Sequence, residues 1–487
     1  MKMKKNLIIL VFVSLFTSAN AQQALTFYNM DRVMQSQFVN PSANIDYKFQ
    51  IGGLLVPVFG QLPPPMYFNY ANNAIHYNHI FHMGKGDKAD NLVLDLPLMM
   101  RKLKKTTHFR FDTQLELLNI GIKLENMYLT FALSEKFNYG FSLPYDLFEF
   151  AVHGNIPYMR EGKPHNLNGF GLYLNHYREF AVGASMNANE DLSLGGRVKF
   201  LFGQSNFNTD IKKLSIYTDP ENYIMTWTSD MKIQTSSPFT YNYLMTPDSI
   251  NFSINQEEFD ELTEDGAMAM ASAFLLNMKN IGLGFDFGAN YKISPEIEVY
   301  GSLTDFGFIS WNNNPYNFIS KGKYDFRGIE FKVFDDSDDK IQESVDNLVD
   351  TLINTFKFDL LETNYMTWLP SSLYLGAKYK FHEKLHFNVL YRGEIYKKSY
   401  LQSLTIGASS NITDWLSAYL TWSYANNSLN NIGIGLNVRA AIFNWYVVTD
   451  SFTNMIYPQK TKNFNIRMGC NMTFGYKKIK SSASIRT

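Results

Sequence analysis

Asn463-Phe464-Asn465-Ile466-Arg467-Met468-Gly469-Cys470-Asn471-Met472-Thr473-Phe474-Gly475-Tyr476 alternates apolar and polar residues without a break. A two-residue period places Phe464, Ile466, Met468, Cys470, Met472, Phe474 and Tyr476 on one sheet face and Arg467, Asn471 and their neighbours on the other. The run exceeds the five or six residues usual in a soluble strand, and matches the roughly 9–11 residues that cross a bilayer at a tilt. The pattern recurs at 109–118, 125–134, 138–149, 169–187, 192–203, 281–293, 297–308, 372–381, 385–397, 402–411, 415–424, 432–440 and 444–452.

The connections are unequal. Short turns sit at 187–191, 294–296, 382–384 and 413–414, whereas 204–280 and 310–371 are long. Short turns at one end and long loops at the other characterise outer-membrane barrels. The expectation is therefore an all-β fold: a transmembrane antiparallel β-barrel of about 14 strands (range 12–16), with short periplasmic turns and long extracellular loops. Helical spacing of apolar residues at 257–279 and 340–358 places a helix in each long loop.

Lys2, Lys4 and Lys5 precede an apolar stretch, Leu7 to Phe16, and Ala19-Asn20-Ala21 forms a small-x-small cleavage pattern. Residues 1–21 read as a signal peptide, 22–107 as an N-terminal segment that is a plug or a first hairpin, 108–476 as the barrel and 477–487 as a tail. The compartment this predicts is the outer membrane of a Gram-negative bacterium. Mean hydropathy of -0.20 fits, because half of each strand faces a polar lumen. An aromatic content of 16% is consistent with rim girdles. A net charge of -1 gives no reason to expect nucleic acid as a partner. Cys470 is the only cysteine, so no disulfide framework exists within the chain.

Parity points Arg110, Asp112, Glu116, Arg197, Lys199, Asp286, Lys378, Lys380, Arg392, Glu394, Arg439 and Arg467 into the lumen. Such charges either pair into a ladder that stiffens the wall or line a permeation path. Eight of the twelve are basic and four acidic, an excess that would favour anionic solutes through an open channel. His76-x-x-His79-x-x-His82 has metal-like spacing, but neither a helix nor a strand gathers all three rings. Asp335-Asp336-Ser337-Asp338-Asp339 lacks the glycine and glutamate of an EF-hand and reads as a solvated acidic turn. No catalytic residue, metal site or cofactor is expected, and there is no G-x-S-x-G elbow.

Phe38-Val39-Asn40-Pro41-Ser42 resembles the N-P-A box of Bacteroidetes-type outer-membrane barrels. Segments 178–183, 194–203, 302–311 and 446–450 look like the same, largely uncharacterised group. That group is similar to long-chain fatty-acid transporter barrels and to barrels of type IX secretion and gliding. The resemblance implies a non-enzymatic protein for uptake or passage of hydrophobic or small solutes, with membrane lipid and a hydrophobic ligand as partners. The alternative is a membrane platform for secretion, adhesion or surface-complex assembly, with protein partners.

Overall fold

Seventeen strands carry the architecture of the computed structural model, which describes residues 25–476 apart from 44, 57–62, 85–88, 90, 239–240, 247–248, 255–276, 327–357, 397–398 and 426–427. They are β1 (Phe49–Gly52), β2 (Met66–Asn72), β3 (Thr106–Leu124), β4 (Met127–Pro144), β5 (Gly171–Asn187), β6 (Leu192–Thr218), β7 (Met225–Ser236), β8 (Asn280–Lys292) and β9 (Ile297–Trp311). The series continues with β10 (Tyr316–Phe326), β11 (Ser371–His382), β12 (Leu385–Tyr396), β13 (Ser399–Ser410), β14 (Leu416–Ala425), β15 (Ser428–Ala440), β16 (Phe443–Thr449) and β17 (Asn463–Phe474). Helices α1 (Leu96–Lys102), α2 (Tyr145–His153), α3 (Ile156–Arg160) and α4 (Phe452–Ile456) lie in the connections.

Neighbouring strands pair antiparallel from β3 through β6, then β8, β9 and β11 to β17. Closure comes from β1 and β2, which share a single position: both pair with β17 on one side and β3 on the other. The result is a closed barrel of 14 positions, the even number that bacterial barrels show. Closure removes the open edge of the sheet, apart from the interruption between β1 and β2.

The count agrees with the sequence reading, but its composition does not. Segments 125–134 and 138–149 are not two strands; β4 runs unbroken to Pro144, and α2 follows. The fourteenth position is the interrupted β1/β2. Between its halves the chain leaves the ladder at Gly53, whose φ of 114° suits glycine, and rejoins it at Pro65. Leu54 and Leu55 N–H donate to the Glu116 and Leu117 carbonyls, partly repairing the gap. Cys470 has outward parity, yet Val56 from this excursion packs on it and buries it completely.

The long connections carry further strands. Past the rim, the upper part of β6 pairs with β7 and β7 with β10, extending the sheet beyond the barrel proper. Most of 257–279, all but the end of 340–358, the signal-peptide region, Asp335–Asp339 and the tail lie outside the described residues. The helices seen in the loops are instead α1 to α4.

The barrel is apolar outside and polar inside. Ile122, Phe180, Phe200, Phe287, Leu375, Val389, Ile406 and Leu420 are exposed on the outer face, while Asn119, Ser134, Thr405, Thr421, Asn437 and Asn471 are buried within. Such an inverted surface requires lipid around it. No helix among the described residues is long and apolar enough to cross a membrane. The chain is an outer-membrane β-barrel.

Candidate functional site: the plugged lumen

Residues 25–47 fill the lower lumen. Leu25, Phe27, Tyr28, Met30 and Val33 pack with the inward-facing Tyr300, Tyr374, Leu390, Tyr419 and Tyr446 of the wall. Polar anchors surround this apolar centre. Thr26 N–H donates to Asp450 Oδ1 at 2.7 Å and Leu25 N–H to Oδ2 at 3.1 Å. Arg32 donates to the Thr413 carbonyl at 3.0 Å in the β13–β14 turn, and Gln35 to Glu116 at 3.0 Å. Val39 carbonyl accepts from Ser302 Oγ at 2.6 Å, and Asp31 pairs with Lys378 at 3.3 Å.

The N-P box forms a compact turn seated on the wall. Asn40 Oδ1 accepts from Ser42 Oγ at 2.7 Å, closing a tight turn, and both side chains reach Asn290 Oδ1. Pro41 lies directly on the wall glycines Gly195 and Gly288, where a Cβ at Gly195 would stand 2.1 Å from the Pro41 carbonyl oxygen. Only glycine lets plug and strand approach so closely.

Above the plug the inward charges form two connected clusters. Arg110 holds Glu394 with both terminal nitrogens, at 2.8 and 3.1 Å, and Asp112 through Nε at 2.8 Å. Arg392 pairs with Glu394 at 3.3 Å and donates to Tyr374 and Ser372. In the second cluster Lys199 meets Asp286 at 2.6 Å and Asp305 at 2.7 Å, Arg197 meets Asp286 at 3.2 Å, and Lys136 meets Glu179 at 2.6 Å and Asp305 at 3.4 Å. Buried charge in a narrow lumen is tolerable only when paired in this way.

The structure thus gathers Arg110, Asp112, Arg392 and Glu394 in one cluster and Arg197, Lys199 and Asp286 in the other. The remaining candidates sit apart. Glu116 accepts from Gln35 and Asn119. Arg467 lies between the rings of Phe27 and Tyr67, at 4.7 and 4.6 Å. Lys378 holds the plug through Asp31, Arg439 covers Tyr476 at 3.5 Å, and Lys380 is exposed at the short-turn end.

Sequence reading missed Lys136, Glu179 and Asp305. With them the two clusters contain Arg110, Arg392, Lys136, Arg197 and Lys199 against Asp112, Glu394, Glu179, Asp286 and Asp305, so five charges of each sign cancel. The basic excess expected from parity is absent from this collar, and with it the reason to expect anion preference. Asp305 escaped parity because a bulge opposite Asp286 flips the strand: Phe285 faces Phe306, but Phe287 faces Leu303. Its φ of 55° turns it so that its N–H reaches Asp286 Oδ1 at 2.7 Å.

On the lipid-facing side of the same strands, Glu135 accepts from Arg178 at 2.5 Å and meets His176 Nε2 at 3.0 Å, with the Phe137 ring stacked on His176 at 3.9 Å. His76 and His79 stack on each other at 3.4 Å, but His82 pairs separately with Asp95 at 3.5 Å. No group of three metal-ligating side chains forms among the described residues.

At the extracellular mouth, over the charged collar, lies a cavity of about 530 Å³. Phe109, Phe141, Phe170, Tyr173, Ile211 and Leu401 give it an aromatic and aliphatic wall, and Arg110 reaches its floor. Beneath Arg110 a chamber of about 80 Å³ is bounded by both clusters and by Phe38 and Val39 of the plug. Mouth, collar and plug therefore stack in series.

A family model matches residues 41–450, from Pro41 in the N-P box to the residue after β16, and so takes in every barrel strand except β17. The chain belongs to DUF5723, a family of unknown function. No curated relative matches it. Among solved structures this DUF5723 member is similar to a crystal structure of a Pseudomonas aeruginosa FadL homologue, at 9% identity and a TM-score of 0.42, covering 95% of this chain and 100% of that one. It is similar also to a TodX deltaS2S3 mutant monoaromatic hydrocarbon channel, at 9% identity and TM-score 0.42, covering 94% and 96%. The Ralstonia pickettii toluene transporter TbuX follows at 9% identity and TM-score 0.35, covering 85% and 91%.

Proposed function

We propose that this barrel takes up hydrophobic or small, uncharged solutes from outside through the mouth cavity, with passage controlled by the plug. The observation that carries the reading is the 530 Å³ cavity with its aromatic wall. Its size falls within the range of small-molecule sites, about 300–1,000 Å³, and its lining suits an apolar ligand with a few polar contacts. The neutral collar below supports an uncharged cargo. An anion arriving there would meet Arg110 already satisfied by two carboxylates.

The test is binding of a fluorescent apolar probe to the purified barrel in detergent, followed by uptake into proteoliposomes. Phe170→Asp introduces a carboxylate into the wall, and burial of an unpaired charge makes probe binding at least tenfold weaker. Wild-type protein that neither binds the probe nor passes it above the rate of empty liposomes would refute the proposal.

A further inference from the structure

A patch of positive charge lies outside the lumen, at the extracellular end above β2 and β17. The 3-10 turn Tyr77–His79 packs against the 3-10 turn Pro458–Lys460 and against α1. This packing assembles His76, His79, Lys102, Lys104, Lys460 and Lys462 from three separate stretches of chain. None of the four lysines takes part in an ion pair with a described residue; Lys460 instead lies 5.8 Å from the Tyr457 ring. Asp95 caps α1, accepting from Leu98 N–H at 2.8 Å, and its other oxygen lies 3.5 Å from His82 Nε2. His76 Nδ1 and His79 Nδ1 are buried without a hydrogen-bond partner.

We propose that this patch is a docking site for the phosphate groups of a phosphorylated glycolipid in the outer leaflet of the membrane. Three features fit that occupant. Four lysines and two imidazoles converge without a counter-charge, which is how proteins hold phosphate as a point-charge cluster. Phe68, on the outer face of β2, and Met455, Ile456 and Tyr457 beside the patch are exposed, providing an apolar border where acyl chains meet the headgroup. The patch also stands at the end of the barrel away from the short turns, the level of the outer leaflet. Electrostatics agree with a site that favours an anion. Burial and then the charges of His76, Lys462 and Lys102 hold the His79 imidazole down at about 4. Burial and then Lys104 and Lys102 lower the Lys462 ammonium.

The experiment places the full barrel in phosphatidylcholine vesicles with diphosphorylated lipid A, or with the same lipid after dephosphorylation. Lipid retention is read by native mass spectrometry and the His79 ring by NMR titration. Wild-type protein retains the phosphorylated lipid, and the bound dianion raises the His79 pKa from about 4 toward its ordinary value. Each of Lys102→Gln and Lys462→Gln weakens retention about fivefold, and together about 25-fold. Lys163→Gln, in the α3 loop, leaves it unchanged. Equal retention of the dephosphorylated lipid overturns the proposal. So does inorganic phosphate binding as tightly as the lipid, because the site would then select a free anion. Should the double variant lose the heat-modifiable mobility of a folded barrel, the NMR titration of the wild-type protein still decides: a His79 pKa unmoved by the phosphorylated lipid refutes the site.

Discussion

Asp450→Ala isolates how the plug is held. The Asp450 carboxylate accepts from Leu25 N–H at 3.1 Å and Thr26 N–H at 2.7 Å, and Asn465 donates to it at 3.2 Å. Leu25 and Thr26 are both fully buried, so water cannot replace the lost acceptor. A buried donor left unsatisfied costs about 1–3 kcal/mol, so two donors give about 4 kcal/mol. That corresponds to roughly a thousandfold lower ratio of docked to released states for the first turn of the plug. Arg32, Gln35 and the N-P box keep their own anchors, so the expected result is local release of residues 25–30 with the remainder still seated. Hydrogen exchange read by mass spectrometry shows faster exchange over those residues, and planar-bilayer recordings show brief openings absent from wild type. Asp450→Asn keeps one acceptor and gives an intermediate exchange rate. Wild-type exchange in Asp450→Ala would refute the claim that this carboxylate anchors the plug.

Other substitutions probe the remaining contacts. Gly195→Val places a Cβ 2.1 Å from the Pro41 carbonyl oxygen and displaces the N-P box; overpacking of at least about 1–3 kcal/mol should appear as a lower thermal midpoint together with a persistent leak current. Glu394→Gln leaves Arg110 and Arg392 short of a buried counter-charge, and loss of about 3–5 kcal/mol should lower the urea midpoint of unfolding. His79 is held near 4, mainly by burial, so the unfolded loop binds more protons between about 6.5 and 4. Packing of the 74–82 loop therefore weakens as pH falls through that window; His76, also lowered by burial, acts in the same direction, so His79→Gln should reduce the dependence without removing it, as read by exchange corrected for intrinsic rates.

Parity made the barrel legible, because lipid outside and polar lumen inside impose one rule on every spanning residue. It failed where the backbone itself departs from a regular ladder. Glu135-Lys136 reads as a polar turn between two strands, yet both residues lie within β4. Glu135 faces outward to Arg178 and Lys136 inward to Glu179, so each face supplies its charge with a partner from β5. No single-strand pattern reveals that. The bulge opposite Asp286 hid Asp305 by shifting the face of every later residue in β9. The β1/β2 position was obscured differently: its halves are separated by 13 residues, Gly53 to Pro65, and neither half alone is long enough to span a membrane. Twelve lumen candidates followed from alternation; their sorting into balanced clusters, plug contacts and a rim position depended on cross-strand register.

The arrangement of the plug bears on how anything could pass. An open porin leaves its inward polar side chains to water, whereas here many are committed to the plug: Ser185, Asn290, Ser302, Thr421, Asn444 and Asn471 all bond to residues 26–42. These partners come from β5, β8, β9, β14, β16 and β17, so they lie around much of the circumference. A ligand in the mouth cavity cannot break all of them at once, since each net hydrogen bond contributes about 0.5–1.5 kcal/mol and the apolar centre adds more. It can reach only Phe38 and Val39, through the chamber under Arg110. Phe38 lies 4.5 Å from the Arg197 guanidinium, and the Val39 carbonyl is bound to Ser302. Movement of that one turn would open the chamber along the wall between β5 and β9 while leaving Asp450, Arg32 and Lys378 engaged. Passage by local rearrangement at Phe38 therefore requires far less free energy than expulsion of the plug, and it predicts that tethering residues 25–32 to the wall leaves solute passage intact.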